Sequence, residues 1–195
     1  MKPLGPSINN PLSELFFTLL HNQTSKMNRI LSIVLISIVP LVSIGQMGDE
    51  KLKTIAREII KESTHCNFIT VDEQGRPRVR VMDGFEPESD FTVWLATNPK
   101  SRKVEQIKLN PKATLYYLTP DRMSYVMIQG DAELVNDLSE KDKYWKDGWE
   151  SFYPNKADDM VLIKVVPKWM EIVSYPHGVL GDTQTWEPVI VNFKK

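Results

Sequence analysis

The stretch Thr97-Asn98-Pro99-Lys100-Ser101-Arg102-Lys103-Val104-Glu105-Gln106-Ile107 carries the chain from a strand into a short helix, and its reading decides the fold. Before it, Phe91 to Ala96 alternates β-branched and aromatic residues as a strand does. After it, Asn110-Pro111 ends the helix ahead of a second β-rich run, Ala113 to Leu118. Asn98 is the expected N-cap, with Pro99 at the first helical position, where its missing N–H costs nothing. Ser101, Arg102 and Lys103 then fall in the first turn. Free backbone N–H groups and the positive end of the helix dipole favour an anion there, and a hydroxyl, a guanidinium and an ammonium add charge-assisted donors. Basic residues at that end oppose the dipole unless an anion compensates them. On chemistry alone a phosphate site and a solvated charged turn both stay open, because single Ser-Arg-Lys runs are common.

Working outward, Leu52 to Lys61 has the period of an amphipathic helix, with Leu52, Ile55, Ala56, Ile59 and Ile60 on one face. Cys66 to Val71 and Pro77 to Met82 read as a hairpin around Asp72-Glu73-Gln74-Gly75. In its second strand Arg78, Arg80 and Met82 share one face, and Val79 and Val81 share the other, which is expected to meet the core. Tyr125 to Val135 follows with Gly130 as a bend or bulge, and Met160 to Val166 and Trp169 to Ser174 complete the β content. Leu138-Ser139 opens a further helix, with Ser139 as N-cap and Asp142 in a weak capping box, carrying Trp145 and Trp149 as an i, i+4 aromatic stripe. Such a stripe is more often core than ligand contact. So many short alternating strands suggest a small closed barrel, with an open sheet as the alternative.

Three motifs together carry a resemblance. They are Thr97 to Ile107 with Asn110-Pro111-Lys112-Ala113, the run Val126-Met127-Ile128-Gln129-Gly130-Asp131-Ala132-Glu133-Leu134, and Gly75-Arg76-Pro77-Arg78-Val79-Arg80-Val81-Met82. With the aromatics Trp145, Trp149, Phe152 and Tyr153, followed by Pro154, they resemble the general stress protein branch of the pyridoxamine 5'-phosphate oxidase-like superfamily, over about Leu52 to Gly178. The resemblance implies a mainly β fold with flanking helices, a six- to seven-stranded antiparallel split β-barrel of the FMN-binding type. It implies a homodimer holding flavin mononucleotide (FMN) between two barrels. The phosphate is expected on Arg78, Thr97, Ser101, Arg102 and Lys103, with Arg80, Val81, Met82 and Tyr125 near the ring. It implies an oxidoreductase of unknown substrate. Alternatives are a flavin-binding stress or storage protein without turnover, and a split barrel using haem or a deazaflavin.

The chain departs from that branch at Asn155-Lys156, where a Gly-rich turn is common, and at Tyr175, near which a Trp is common. No side chain announces itself as a general acid or base. The lone Cys66 reads as a small buried hydrophobe that cannot form an internal disulfide, and His177 reads as solvated.

With 24 basic against 25 acidic residues, non-specific nucleic-acid binding has little electrostatic basis. Phosphate-binding Gly-rich loops, His-Glu-x-x-His and paired cysteines are missing from the sequence, so kinase, Rossmann and metal readings fall away. Met27-Asn28-Arg29, the apolar Ile30 to Ile44 and Ser43-Ile44-Gly45 have the parts of a secretory signal. The expected organisation is a leader over residues 1–45 with the signal at about 27–45, a barrel domain over 46–178, and a C-terminal tail over 179–195. Cleavage after Gly45 makes the protein exported, periplasmic or secreted, with no stable membrane anchor. A retained anchor or a cytoplasmic chain is the alternative. The mature chain then has 21 basic and 24 acidic residues.

Overall fold

Residues 47–193 are described by the computed structural model, so the leader and its cleavage site lie outside the described residues. The elements run α1 (Asp49–Glu62), β1 (Cys66–Val71), β2 (Pro77–Met82), β3 (Val93–Thr97), α2 (Arg102–Leu109), β4 (Lys112–Leu118) and β5 (Ser124–Val135). There follow α3 (Leu138–Lys143), a 3-10 turn (Trp149–Ser151), α4 (Lys156–Asp159), β6 (Val161–Ser174) and β7 (Val189–Asn192). The strands form one antiparallel sheet in the order β2-β1-β4-β5-β6-β3, with β7 added on β6.

The long strand β6 organises this sheet. It pairs with β5 along its length, with β3 through Val161–Val165, and with β7 through Trp169–Ile172. β6 continues through Pro167, where two separate strands are expected. Pro167 stands opposite Gly130 at a register shift, so its missing N–H falls where the ladder is already interrupted. A Cβ on Gly130 would lie 2.0 Å from the Val166 carbonyl oxygen, which only glycine tolerates.

The two ends of the strand path, β2 and β3, are not paired as strands. The chain leaving β2 reaches β3 through Phe85 N–H donating to Trp94 O at 3.0 Å. This gap is the split in the barrel. Alternation puts Phe68, Leu115, Val126, Ile128, Met170 and Ile172 inside, all fully buried. The apolar face of α1 covers them as its period requires, with Leu52, Ile55, Ala56, Ile59 and Ile60 buried and β4, β5 and β7 beneath. A second cluster gathers Trp94, Tyr144, Met160 and Leu162 under α3.

Several expectations are corrected. The segment after Gly178, read as a tail, contributes β7 to the sheet, and Val191 is buried. The N-cap of α3 is Asp137, whose carboxylate accepts from Glu140 N–H, while Ser139 only supports it. That helix ends at Lys143, so Trp145 and Trp149 do not form a helical stripe. They meet edge to face, 5.9 Å apart, across the left-handed Gly148 (φ 84°).

Candidate functional site

β3 delivers the chain to Thr97, and a tight turn follows before α2. Asn98 Oδ1 accepts from Lys100 N–H at 2.8 Å, and Asn98 O accepts from Ser101 N–H at 3.0 Å. Asn98 is spent on this turn, so the helix starts later than expected. Ser101 is the N-cap, and Arg102 and Lys103 are the first two helical residues. The Ser101 hydroxyl does not cap; it lies 3.2 Å from Thr97 Oγ1. The positive end of α2 is therefore left without a side-chain cap, although Ser101 O accepts from Val104 N–H at 3.0 Å.

Lys103 Nζ donates to Thr97 Oγ1 at 2.8 Å and is half-buried. Arg80 reaches the same region from β2. Its guanidinium donates to Thr70 Oγ1 at 2.7 Å, Phe68 O at 3.3 Å and Gln106 Oε1 at 2.9 Å. All three acceptors are neutral. Among the described residues, none of Arg80, Arg102 and Lys103 has a carboxylate within 4.0 Å. Burial and then the charges of Arg102 and Arg78 push the Arg80 guanidinium below its ordinary value. Burial and then Arg80 and Arg102 do the same to the Lys103 ammonium. Three like charges share one corner with no protein counter-ion.

Arg78 behaves differently. Its Nε donates to Asp72 Oδ2 at 2.9 Å, and Arg76 Nε donates to the same oxygen at 3.0 Å. Burial opposes ionisation of Asp72, but the Arg76 backbone N–H and both guanidinium groups outweigh it and hold the carboxyl at about 2. Arg78 thus adds to the local field with its own charge already compensated.

The faces of β2 are the reverse of those expected. Val79 and Val81 are 62% and 66% exposed, and Arg78, Arg80 and Met82 turn inward. The register explains this, because Arg80 pairs with the fully buried Phe68 and Arg78 with the buried Thr70. At this end of the barrel the interior contains Thr70 and Gln106, which accept a guanidinium where an apolar lining could not.

Beside the cations, the gap between β2 and β3 opens into a cavity of about 380 Å3. Val81 and Met82 line one edge, Ala96 and Thr97 the other, and Lys103 reaches in from α2. Trp149, Phe152 and Tyr153 form an aromatic wall. Trp149 packs edge-on against Phe85 and Tyr153, and Phe152 is 72% exposed. Lys146 ties the wall to the end of β2 through Asp83 at 2.6 Å. A cavity of about 450 Å3 near Asp49, Phe91 and Phe193 contains none of the predicted site residues.

Of those residues, the structure puts Val81, Met82, Thr97 and Lys103 on the lining of this gap, with Ser101 against Thr97 and with Arg80 and Arg102 close enough to Lys103 for their charges to act on it. Tyr125 lies elsewhere, its ring 5.3 Å from Tyr116 and its hydroxyl donating to Glu171 Oε1 at 3.1 Å. Burial, then Glu171, pushes its hydroxyl up to about 12. Two residues escaped the sequence reading, Thr70 and Gln106. Their signal is a polar side chain on a buried face: Thr70 follows Cys66 and Phe68 inward, and Gln106 sits between Val104 and Ile107.

Nucleophile readings fail on geometry. The Cys66 thiol is buried, and burial pushes it up to about 12. His177 is exposed, as expected, and its ring also bonds Ser174 Oγ at 2.8 Å and lies 3.1 Å from Glu58 Oε2. Ser174 is fully buried and spent on Ser124 Oγ at 2.8 Å, so the arrangement fastens a turn to α1.

The class that fold and site define is a split antiparallel barrel with a basic corner at its seam and an aromatic-lined cavity beside it. Residues 50–178 match the family described as pyridoxamine 5'-phosphate oxidase like, and the chain belongs to that family. A pyridoxine/pyridoxamine 5'-phosphate oxidase of Neisseria gonorrhoeae is 31% identical over 120 residues, which are 54% of this chain and 55% of that one. The chain spans about half the length of the curated relatives it matches. A solved protein of Clostridium acetobutylicum related to general stress protein 26 superposes with a TM-score of 0.61 at 23% identity, over 75% of this chain and 96% of that one. A pyridoxamine 5'-phosphate oxidase-related, FMN-binding protein of Nostoc punctiforme gives 0.54 at 16% identity, over 78% and 100%. Both share the split-barrel fold.

Proposed function

We propose that this protein binds FMN and serves as a flavin-dependent oxidoreductase. The observation that carries the reading is the trio Arg80, Arg102 and Lys103, which among the described residues has no carboxylate within 4.0 Å and whose Lys103 lines an aromatic-walled cavity. A phosphate dianion on Thr97, Ser101, Arg102, Lys103 and Arg80 would compensate the like charges and serve as the cap that no side chain gives the start of α2. Arg78 completes the field from its ion pair with Asp72.

The cavity fits the rest of the cofactor. Its volume lies within the roughly 300–1,000 Å3 of small-molecule sites. β2 has a strand partner on one side only, so alternate residues of its end at Val81–Met82 turn their backbone N–H and C=O to the free edge, available to a ring's polar rim. Trp149, Phe152 and Tyr153 offer flat apolar contact. When bound, the flavin supplies the electron transfer, while the chain holds the phosphate, orients the ring and excludes water. The name of the family and the activity of the curated relatives support this class of chemistry. Pyridoxamine phosphate oxidation is not carried over.

A second copy of the chain is proposed to cover the outer sheet face. Val79 and Val81 are exposed there on an edge strand, and Val81 leads a row through Asn67, Tyr116, Met127 and Glu171 to Ile190. Exposed valines on an edge strand at one end of this row, with exposed Ile190 at the other, are the apolar surface that a second copy would cover. Export with cleavage after Gly45 is proposed on the signal-like segment before it.

The absorbance spectrum of purified protein tests the cofactor. Oxidised flavin bands support the reading, and a haem or deazaflavin spectrum overturns it. Reduction and reoxidation with a defined donor then separates an enzyme from a storage protein.

A further inference from the structure

We propose that Gln106 is the residue that sets the charge of the anion site: a neutral acceptor that fixes Arg80 in place without neutralising it. The inference rests on the anion-binding reading above and goes beyond it, since it concerns a residue on the buried side of α2.

The proton accounting is unambiguous. A guanidinium has only donors, so the Gln106 atom 2.9 Å from Arg80 Nη2 must be the carbonyl oxygen. Thr70 Oγ1 accepts from Arg80 Nη1 at 2.7 Å, so its own hydrogen is free to go to Gln106 Oε1 at 2.6 Å. One carbonyl thus closes a ring of three side chains from β1, β2 and α2. Thr70 is fully buried, and Gln106 is 8% exposed. A buried amide on a face otherwise filled by Val104 and Ile107 is unfavourable unless its oxygen is used, and here it is used twice.

The identity of the acceptor matters more than its presence. Glutamate has the same length and can receive the same two hydrogen bonds. It would also form a buried ion pair with Arg80 and remove one positive charge from the trio. Proteins normally pair a half-buried arginine with a carboxylate, as Asp72 does for Arg78 in this same strand. At Arg80 the chain instead supplies Thr70, Phe68 O and Gln106. All three hold the guanidinium in position and leave its charge to be met by something from outside. Gln106 is therefore a positioning residue acting through Arg80.

The test is Gln106→Glu, compared with the wild-type chain against FMN, riboflavin and inorganic phosphate, with thermal unfolding of the free protein as a control. The expected result is FMN binding at least tenfold weaker, with riboflavin within about twofold and a melting temperature equal to or above wild type. The slope of FMN affinity against salt should also become shallower, because one cation no longer faces the ligand. A purely structural role predicts the opposite, since Glu preserves both hydrogen bonds. Unchanged FMN affinity and salt slope in a folded Gln106→Glu protein overturn the proposal, as does an equal loss for FMN and riboflavin. If wild type binds phosphate but no flavin, the cofactor reading fails while Gln106 is still judged on phosphate, where tenfold weakening supports it and no change refutes it. A wild-type protein that binds none of the three overturns both.

Discussion

Replacing Arg102 and Lys103 together with Ala removes two of the three unpaired cations and leaves the aromatic side of the cavity, Trp149, Phe152 and Tyr153, untouched. Their contributions differ. Arg102 is exposed at the first helical position, so water screens it, and its contact with a phosphate is worth about 1 kcal/mol or less. Lys103 is half-buried and held by Thr97, so its charge-assisted bond is worth about 1.5–3 kcal/mol. The double variant should lose about 2–4 kcal/mol of FMN binding, or about 30- to 700-fold at 1.4 kcal/mol per tenfold. Riboflavin has the ring and ribityl chain without the phosphate, so its affinity should move by less than about threefold, roughly 0.6 kcal/mol on the same scale.

Parallel fluorescence titrations of the two ligands provide the assay. Free-protein stability should stay within about 1 kcal/mol, since the lost bond to Thr97 is offset by relief of repulsion with Arg80. An equal loss for both ligands would mean general damage to the pocket. Unchanged FMN affinity would refute the phosphate assignment outright.

Gly130→Ala should destabilise the barrel by several kcal/mol, of the order seen for strain in a packed core, because its Cβ meets the Val166 carbonyl; chemical denaturation reads this directly. The Asp72 carboxyl sits at about 2 in the folded chain against an ordinary 3.8, so its stabilisation is present above about pH 4 and fades as pH falls towards 2. Carboxyl NMR of Asp72 should titrate there, and an ordinary midpoint would dissolve the Arg76–Asp72–Arg78 arrangement. Val79→Lys with Val81→Lys should convert a dimer to a monomer in sedimentation; a wild-type monomer that holds FMN tightly would sink the shared-interface reading. Mass spectrometry of protein from its native host should find Gln46 at the N-terminus, and an intact chain there would refute export.

Local patterns were legible where one element decides its own outcome. The stripe Leu52, Ile55, Ala56, Ile59, Ile60 buries as its period says, and Gly130 bends the sheet where a glycine interrupts a β-rich run. Outcomes set by a partner were not. Arg-Val-Arg-Val alternates equally well with either face inward, and only the pairing with Phe68 and Thr70 turns the arginines in. Asn98 suits an N-cap and an Asx turn alike, and the turn took it. Pro167 looks like a strand end until Gly130 is seen opposite. Val189–Asn192 is too short to be read as a strand without the half of β6 that receives it.

The site shows the same division at the level of charge. Basic and acidic totals of 24 and 25 say nothing of an anion site, because composition fixes the sum and not the placement. Among the described residues most of the ion pairs are ordinary surface contacts, with Lys143, Lys146, Lys156 and Lys168 each beside a carboxylate. Against that background Arg80, Arg102 and Lys103 converge from β2 and α2 without one, and the acceptors that hold Arg80 are neutral. Burial first, and then the neighbouring like charges, disfavour the charged forms of Arg80 and Lys103 in the free protein. An external anion removes that penalty on binding. On the proposed reading, relief of the repulsion among Arg80, Arg102 and Lys103 would add to affinity for a dianion, which is why the missing carboxylate is as informative as the cations.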